Sequence, residues 1–397
     1  MPHSRYAESP KTAGTRIPFF SQAGTFDRLW PRINDNIEAV FDNGKFSHGA
    51  SVAALERELA GYTGAPHVIG VNSGTDALVL LLRAAGLRPG DRVAVPAMSF
   101  VATASAVVLA GGRPVFTDVD PRTYAMTGES LAAVADRDVR FAMPVHLFCQ
   151  MADMAAITAV AARHGLTVVE DSAEAIGMRQ GGVHAGLHGA GGVLSFFPSK
   201  TLGALGDAGA VLTADPEIAR RTAALRHHGR GGQTLGHFPG IANTTELSGV
   251  NSKMDDIQAA VLLAKLTRLE ADIDRRAELA AAYAERLAHV PGIRCPEVVR
   301  DGPGDESVYY VYLVEAQRRD ELAAFLAARG IGTETYYPRP LHLQPCFAEL
   351  GHREGDFPHA EAACRRALAL PLYPDLRVEQ VEQVCAAIGE FYEGRCA

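Results

Sequence analysis

The sequence predicts an α/β protein, a large unit on a mostly parallel sheet covered on both faces, followed by a smaller α+β unit. Two observations predict it. Short apolar runs alternate with alanine- and leucine-rich stretches of helical length over most of the chain. The pattern then changes after one long helical segment, which ends at Pro291-Gly292. Strands that alternate with helices of ten to fifteen residues indicate βαβ units and a parallel sheet.

Residues 1–30 are polar and punctuated by Pro and Gly, and are expected to form an arm. From there HVIGV (67–71) precedes the helical TDALVLLLRAAG (75–86). DRVAVPA (91–97) precedes FVATASAVVLAGG (100–112) and RPVFTDVD (113–120). FAMPVHL (141–147) precedes MADMAAITAVAARHG (151–165) and LTVVED (166–171), and GGVLSFF (191–197) and AGAVLTA (208–214) follow. Residues 252–290 then read as one long helix bridging two domains. Beyond it lie a strand in SVYYVYLVEA, a helix in RRDELAAFLAARG, a Pro/His-rich loop at 337–347 and a last helix near 377–393. The expected division is an arm over 1–30, a large domain over 31–270 and a small C-terminal domain over 271–397. No repeat or low-complexity segment interrupts it.

Composition narrows the function. A net charge of −8 argues against a nucleic-acid surface and against a polybasic membrane patch. The six cysteines are scattered, with no CxxC pair and no metal-ligand spacing, so reduced thiols and no metal are expected. No apolar run approaches a membrane span, and the N-terminal residues lack a signal-peptide core; a cytoplasmic protein is expected.

Three stretches carry chemistry. Only five of the 38 Lys and Arg residues are lysines, and Lys200 sits between the apolar SFFPS and the glycine-rich TLGALGDAG. A guanidinium stays protonated, whereas an ε-amine can lose its proton and attack a carbonyl. The alternative is a surface lysine in a loop. Asp171 ends the strand LTVVED, and ligands of open α/β sheets bind at the carboxyl ends of strands; a carboxylate there can hold a protonated ring nitrogen, or simply cap the next helix. Ser73, Gly74 and Thr75 form a small turn before a helix, whose N–H groups and hydroxyls suit a phosphate; ordinary capping is again the alternative. The turn lacks the glycine spacing of an ATP or NAD loop. A lysine for an imine, an acid for a ring nitrogen and a helix N-terminus for a phosphate are together what pyridoxal 5′-phosphate requires.

These residues lie in blocks that resemble the DegT/DnrJ/EryC1/StrS family of pyridoxal phosphate-dependent sugar aminotransferases. The blocks include VNSGTDALVLLL, VAVPAMSFVATASAV, VVEDSAEAIG, SFFPSKTLGALGDAGAV and NSKMDDIQAAVL, in the family's order. The resemblance implies the aspartate-aminotransferase (fold type I) architecture. It implies that Lys200 holds the cofactor's aldehyde and then acts as general base, and that Asp171 pairs with the pyridinium. It further implies phosphate contacts from Gly74, Thr75 and Ser195, and stacking of Phe100 on the ring. Asn251 would reach the phosphate of a partner subunit's cofactor, so a homodimer with sites at the interface is expected. Glu174 stands near the cofactor's phenolic oxygen where the family usually has Gln, and such a carboxylate would repel a phenolate unless protonated or paired. Cys149 replaces a usual glycine, and Lys253 a common arginine. Relatives that dehydrate their substrates carry histidine in place of the lysine, so Lys200 implies transamination.

The implied substrates are L-glutamate and a nucleotide-linked keto-deoxysugar, with a dTDP-3-keto-6-deoxyhexose favoured by the PRPLHLQP loop. Tyr336, Tyr337, Arg339 and His342 in ETYYPRPLHLQPCF (334–347) are candidates for sugar or diphosphate contacts, as is the basic LRHHGR at 225–230. His146 reads as a core histidine. The alternatives are a cyclitol ketone of the scyllo-inosose type as acceptor, or a non-catalytic cofactor-binding regulator.

Overall fold

The computed structural model describes residues 16–136, 138–231, 234–235, 238–242, 245–299 and 302–394. The first half of the expected arm and Cys396 therefore lie outside the described residues. Helices α1 (Ala23–Asn43) and α2 (Ala50–Thr63) come first. The βα succession is β1 (His67–Val71), α3 (Gly74–Ala84), β2 (Arg92–Pro96), α4 (Val101–Leu109), β3 (Arg113–Thr117), α5 (Gly128–Ala132), β4 (Val139–Ala142), α6 (Met154–His164) and β5 (Thr167–Glu170). A small hairpin of β6 (Arg179–Gln180) and β7 (Val183–His184) leads to β8 (Gly191–Ser195), β9 (Gly209–Thr213) and α7 (Pro216–Leu225). A second hairpin, β10 (Thr234–Leu235) and β11 (Phe238–Ala242), precedes α8 (Asp256–Leu266) and α9 (Leu269–Leu287). The last third holds β12 (Ile293–Arg294), β13 (Tyr312–Ala316), α10 (Arg319–Ala328), α11 (Pro358–Arg366), β14 (Ala367–Leu370) and α12 (Val378–Glu393).

Seven strands form the main sheet in the order β1-β9-β8-β5-β4-β2-β3. All pairs are parallel except those of β9, which runs against both β1 and β8. The strands are apolar almost throughout because both faces are covered. Val93, Val95, Val169, Val193 and Val211 are fully buried. Their core continues into Tyr310, Val311 and Leu313, so it joins the main sheet to the segment entering the smaller one. The smaller sheet, β12-β13-β14, is antiparallel. It packs with α9, α10 and α12 around Tyr283 and Tyr312, whose rings stack at 4.8 Å.

The long helix expected over 252–290 is two helices. At the break Thr267 turns its hydroxyl back to Ala264 O at 2.7 Å, and Arg268 leaves helical geometry. A hydroxyl that bonds the preceding turn weakens helix continuation. The two halves also serve different cores, since α8 packs on α1 and α2 while α9 packs on α12. The helix starts later than expected as well. Ser252 is extended, with Asn72 N donating to Ser252 O at 3.1 Å, and Lys253 bridges Val71.

Arg276 on α9 is 2% exposed and donates to Tyr310 O at 3.0 Å and Leu372 O at 2.9 Å, tying together segments that enter and leave the smaller sheet. Replacing Arg276 with Met leaves those carbonyls unpaired. We expect a loss of about 2–4 kcal/mol in chemical denaturation with an unchanged far-UV spectrum.

Candidate active site

A cavity of about 310 Å³ lies at the carboxyl ends of β1, β2, β5 and β8. Its floor is set by a close approach of three chain segments. Ser73 caps α3, its Oγ accepting from Asp76 N at 3.1 Å. A Cβ on Gly74 would lie 2.7 Å from Ser195 Cβ, and one on Gly209 would lie 2.6 Å from Ser73 C and O. Only glycines allow the end of β8 and the start of β9 to pass so near the first turn of α3. The result puts Ser73, Gly74, Thr75 and Ser195 on one wall.

Asp171 follows β5 on the opposite side of the cavity. Its backbone is pinned by Asp171 N to Pro144 O and His146 N to Asp171 O, both 3.0 Å. Its Oδ2 accepts from Thr103 Oγ1 at 2.7 Å, and Thr103 in turn meets Ser99 Oγ at 2.6 Å. Burial raises the Asp171 pKa, and the Thr103 hydrogen bond opposes that rise without cancelling it. The neighbouring Glu170 has the opposite balance. Burial alone would raise it too, but His146 Nε2 at 3.0 Å and the N–H groups of Gly186, His188 and Gly189 at 2.7–2.8 Å hold it below the usual carboxylate range. His146 accepts from Ala152 N at Nδ1, which leaves Nε2 as the donor. It lines the cavity as a fully bonded histidine.

Lys200 sits on a turn closed by Lys200 N to Phe197 O and Ala204 N to Phe196 O, both 2.8 Å. Its Nζ lies 2.9 Å from Glu174 Oε1 and 4.2 Å from the centre of the Tyr310 ring. Glu174 is buried and also accepts from Phe148 N at 3.1 Å and Tyr337 Oη at 3.3 Å. The carboxylate standing where the family usually has Gln is thus paired. Burial raises the phenol pKa of Tyr336 and Tyr337, so both remain donors.

The other candidate residues divide. Phe100 lies at the cavity mouth, 55% exposed, with its ring 5.9 Å from that of Tyr337. Tyr336 and Tyr337 line the cavity, but Arg339 and His342 do not. His342 is instead buried against Phe357, with Nε2 3.2 Å from Glu361 Oε1, and Arg339 is exposed beside Leu343 O. His342 lies in the first of two short 3-10 turns, Leu341–Leu343 and Pro345–Leu350, and Arg339 precedes both. Asn251 is exposed and outside the cavity of its own chain, its side chain accepting from Lys253. Thr103, Ser99 and Tyr310 were not expected at the site. The four-residue spacing of Ser99 and Thr103 at a helix start was the available signal; Tyr310 had none.

The donor set fits pyridoxal phosphate, since one cavity holds a lysine amine, a buried carboxylate with a raised pKa and a hydroxyl-lined helix start. Residues 28–389 match the DegT/DnrJ/EryC1/StrS aminotransferase family. The chain belongs to that family. As a DegT/DnrJ/EryC1/StrS protein it has the fold type I architecture, depends on pyridoxal phosphate and is a sugar aminotransferase. It is similar to the pleiotropic regulatory protein of Geobacillus stearothermophilus, 40% identical over 378 residues that cover 95% of this chain and 98% of that one. It is 39% identical over 393 residues to the dTDP-3-amino-3,4,6-trideoxy-alpha-D-glucose transaminase of Streptomyces venezuelae, covering 98% of both chains. The crystal structure of S. venezuelae DesV in complex with a ketimine intermediate superposes with a TM-score of 0.89 at 38% identity, covering 95% of this chain and 99% of that one.

The raised Asp171 pKa gives a test without substrate. A carboxyl whose folded pKa exceeds its unfolded one binds the proton more tightly when folded. Its contribution to stability therefore falls as pH rises from the unfolded to the folded pKa, and the penalty is complete above both. Asp171→Asn should accordingly stabilise the cofactor-free protein at neutral pH. Thermal melts at pH 4 and pH 7 check it, with the gain over wild type larger at pH 7.

Proposed function

We propose that the enzyme moves the amino group of L-glutamate onto the 3-keto carbon of a dTDP-linked 6-deoxyhexose in two half-reactions. The observation that supports it most is the convergence of Lys200, Asp171 and the α3 N-terminus on one cavity. The position on the sugar is supported by the S. venezuelae relative, whose name places the amine at C3.

The cofactor supplies an aldehyde for the incoming amine and an electron sink for the charge left when a proton departs. The chain's residues supply the rest. Ser73, Gly74, Thr75 and Ser195 would anchor the phosphate, and Asp171, oriented by Thr103, would keep the ring nitrogen protonated. Phe100, at the cavity mouth, would cover one face of the ring. The Lys200 amine takes the α-proton from the donor and returns a proton to the acceptor carbon; one positioned base of this kind contributes about 10²- to 10⁴-fold. Glu174 holds that amine in place when it is free. Tyr336 and Tyr337 face the space where the sugar would lie.

The enzyme works as a homodimer on this reading. Asn251 projects outward beside Lys253, and His227 bridges Asn251, forming a polar, basic edge that a second copy's site could receive. Exposed Phe41 and Phe46 lie near it, since Phe46 O accepts from Asp256 N.

Purified enzyme, glutamate and a panel of dTDP-3-keto, dTDP-4-keto and UDP-linked sugars with scyllo-inosose test the assignment, read by product mass and 2-oxoglutarate release. We expect turnover of the dTDP-3-keto sugar, and no turnover or borohydride labelling in Lys200→Arg. Amination of scyllo-inosose alone, or activity retained in Lys200→Arg, would sink the reading.

A further inference from the structure

Lys265, in the last turn of α8, is 6% exposed, yet its ammonium is bonded to neutral groups. It donates to Gln22 Oε1 at 2.8 Å and to Gly203 O, and lies 5.5 Å from the centre of the Phe26 ring. Burial pulls its pKa down to about 8, with Asp272 opposing and Arg276 reinforcing the shift. A buried cation with neutral partners is unfavourable, and an apolar side chain of the same length would avoid that penalty. What it grips is the turn that carries Lys200.

The grip has two arms. Lys265 holds Gly203 O on the far side of Lys200, while Gln22, which accepts from Lys265, donates its amide N–H to Pro198 O on the near side. The turn between these points is tight, because a Cβ on Gly203 would lie 2.3 Å from Pro198 O. Helix α8 is itself fixed. Asp256 accepts from Gly49 N at 2.7 Å and Ser51 N at 3.1 Å, and Asn36 donates to Ala260 O at 2.9 Å. The height of the Lys200 turn above the cavity floor is thus referenced to α8 through two side chains.

We propose that Lys265, acting through Gln22 and the backbone of residues 198–203, is a positioning residue that sets where the Lys200 amine stands in the cavity. The proposal rests on Lys200 being the lysine that carries the cofactor. It gives Gln22, which precedes α1, a share in placing the Lys200 turn.

Three variants test it: Lys265→Met, Gln22→Ala and the double substitution. Each is mixed as apo protein with pyridoxal phosphate, and the rate of covalent capture is followed by absorbance, with the labelled lysine mapped after borohydride reduction. We expect Lys265→Met to capture the cofactor about 10-fold or more slowly, since small misplacements of a reacting group carry penalties of that order. Its kcat should fall while KM for the amino donor stays unchanged. Gln22→Ala should show a smaller loss, and the double variant should lose less than the product of the two single losses, because both side chains hold one turn and each other. Capture at the wild-type rate in both single variants, or losses that multiply in the double, overturns the proposal. If Lys265→Met fails to fold, Gln22→Ala decides alone, and a wild-type rate there overturns it. A wild-type label on any lysine other than Lys200 removes the Lys200 assignment and the proposal with it.

Discussion

The close passage of β8 and β9 across the first turn of α3 is the constraint on which the site depends. Two missing side chains, at Gly74 and Gly209, let Ser195 and Ser73 meet at the helix start. Without that contact the wall of Ser73, Thr75 and Ser195, the Lys200 turn and the Asp171 side of the cavity would have no common reference. A parallel sheet brings strand ends to one edge. The glycines decide how near those ends stand to a helix dipole.

Adjacent carboxylates show how placement divides roles. Glu170 and Asp171 are consecutive and both buried, yet Glu170 takes three backbone N–H groups and an imidazole, whereas Asp171 has one hydroxyl and a long contact to Ala173 N. Strand alternation sends their side chains to opposite faces. The saturated acid is structural, locking His146 and the turn around Gly186. The under-served acid faces the cavity, where a cation would relieve it.

Much of this was legible in the sequence because it is carried by local pattern. The apolar runs marked each strand of the main sheet to within a few residues, and the isolated lysine, the strand-ending acid and the Ser-Gly-Thr turn all line one cavity. What was not legible depends on contacts distant in the chain. The break at Thr267 is hidden because the apolar periodicity runs through it unchanged. His342 and Arg339 share a loop with Tyr336 and Tyr337, and their destinations are set by distant partners, since His342 meets Glu361 while the tyrosines line the cavity. Tyr310 and Lys265 meet the Lys200 turn from about 110 and 62 residues away, a distance no spacing rule covers.

Because β9 is antiparallel to β8, Lys200 stands near the tip of a hairpin whose two legs are both inner strands of the main sheet. Most catalytic loops of α/β proteins connect a strand to a helix and can open without disturbing the ladder. Here both ends of the connection that carries Lys200 are strands of the core, so that connection cannot swing away as a unit without disturbing the ladder. Lys200 is thus carried on a connection between two neighbouring inner strands of the main sheet.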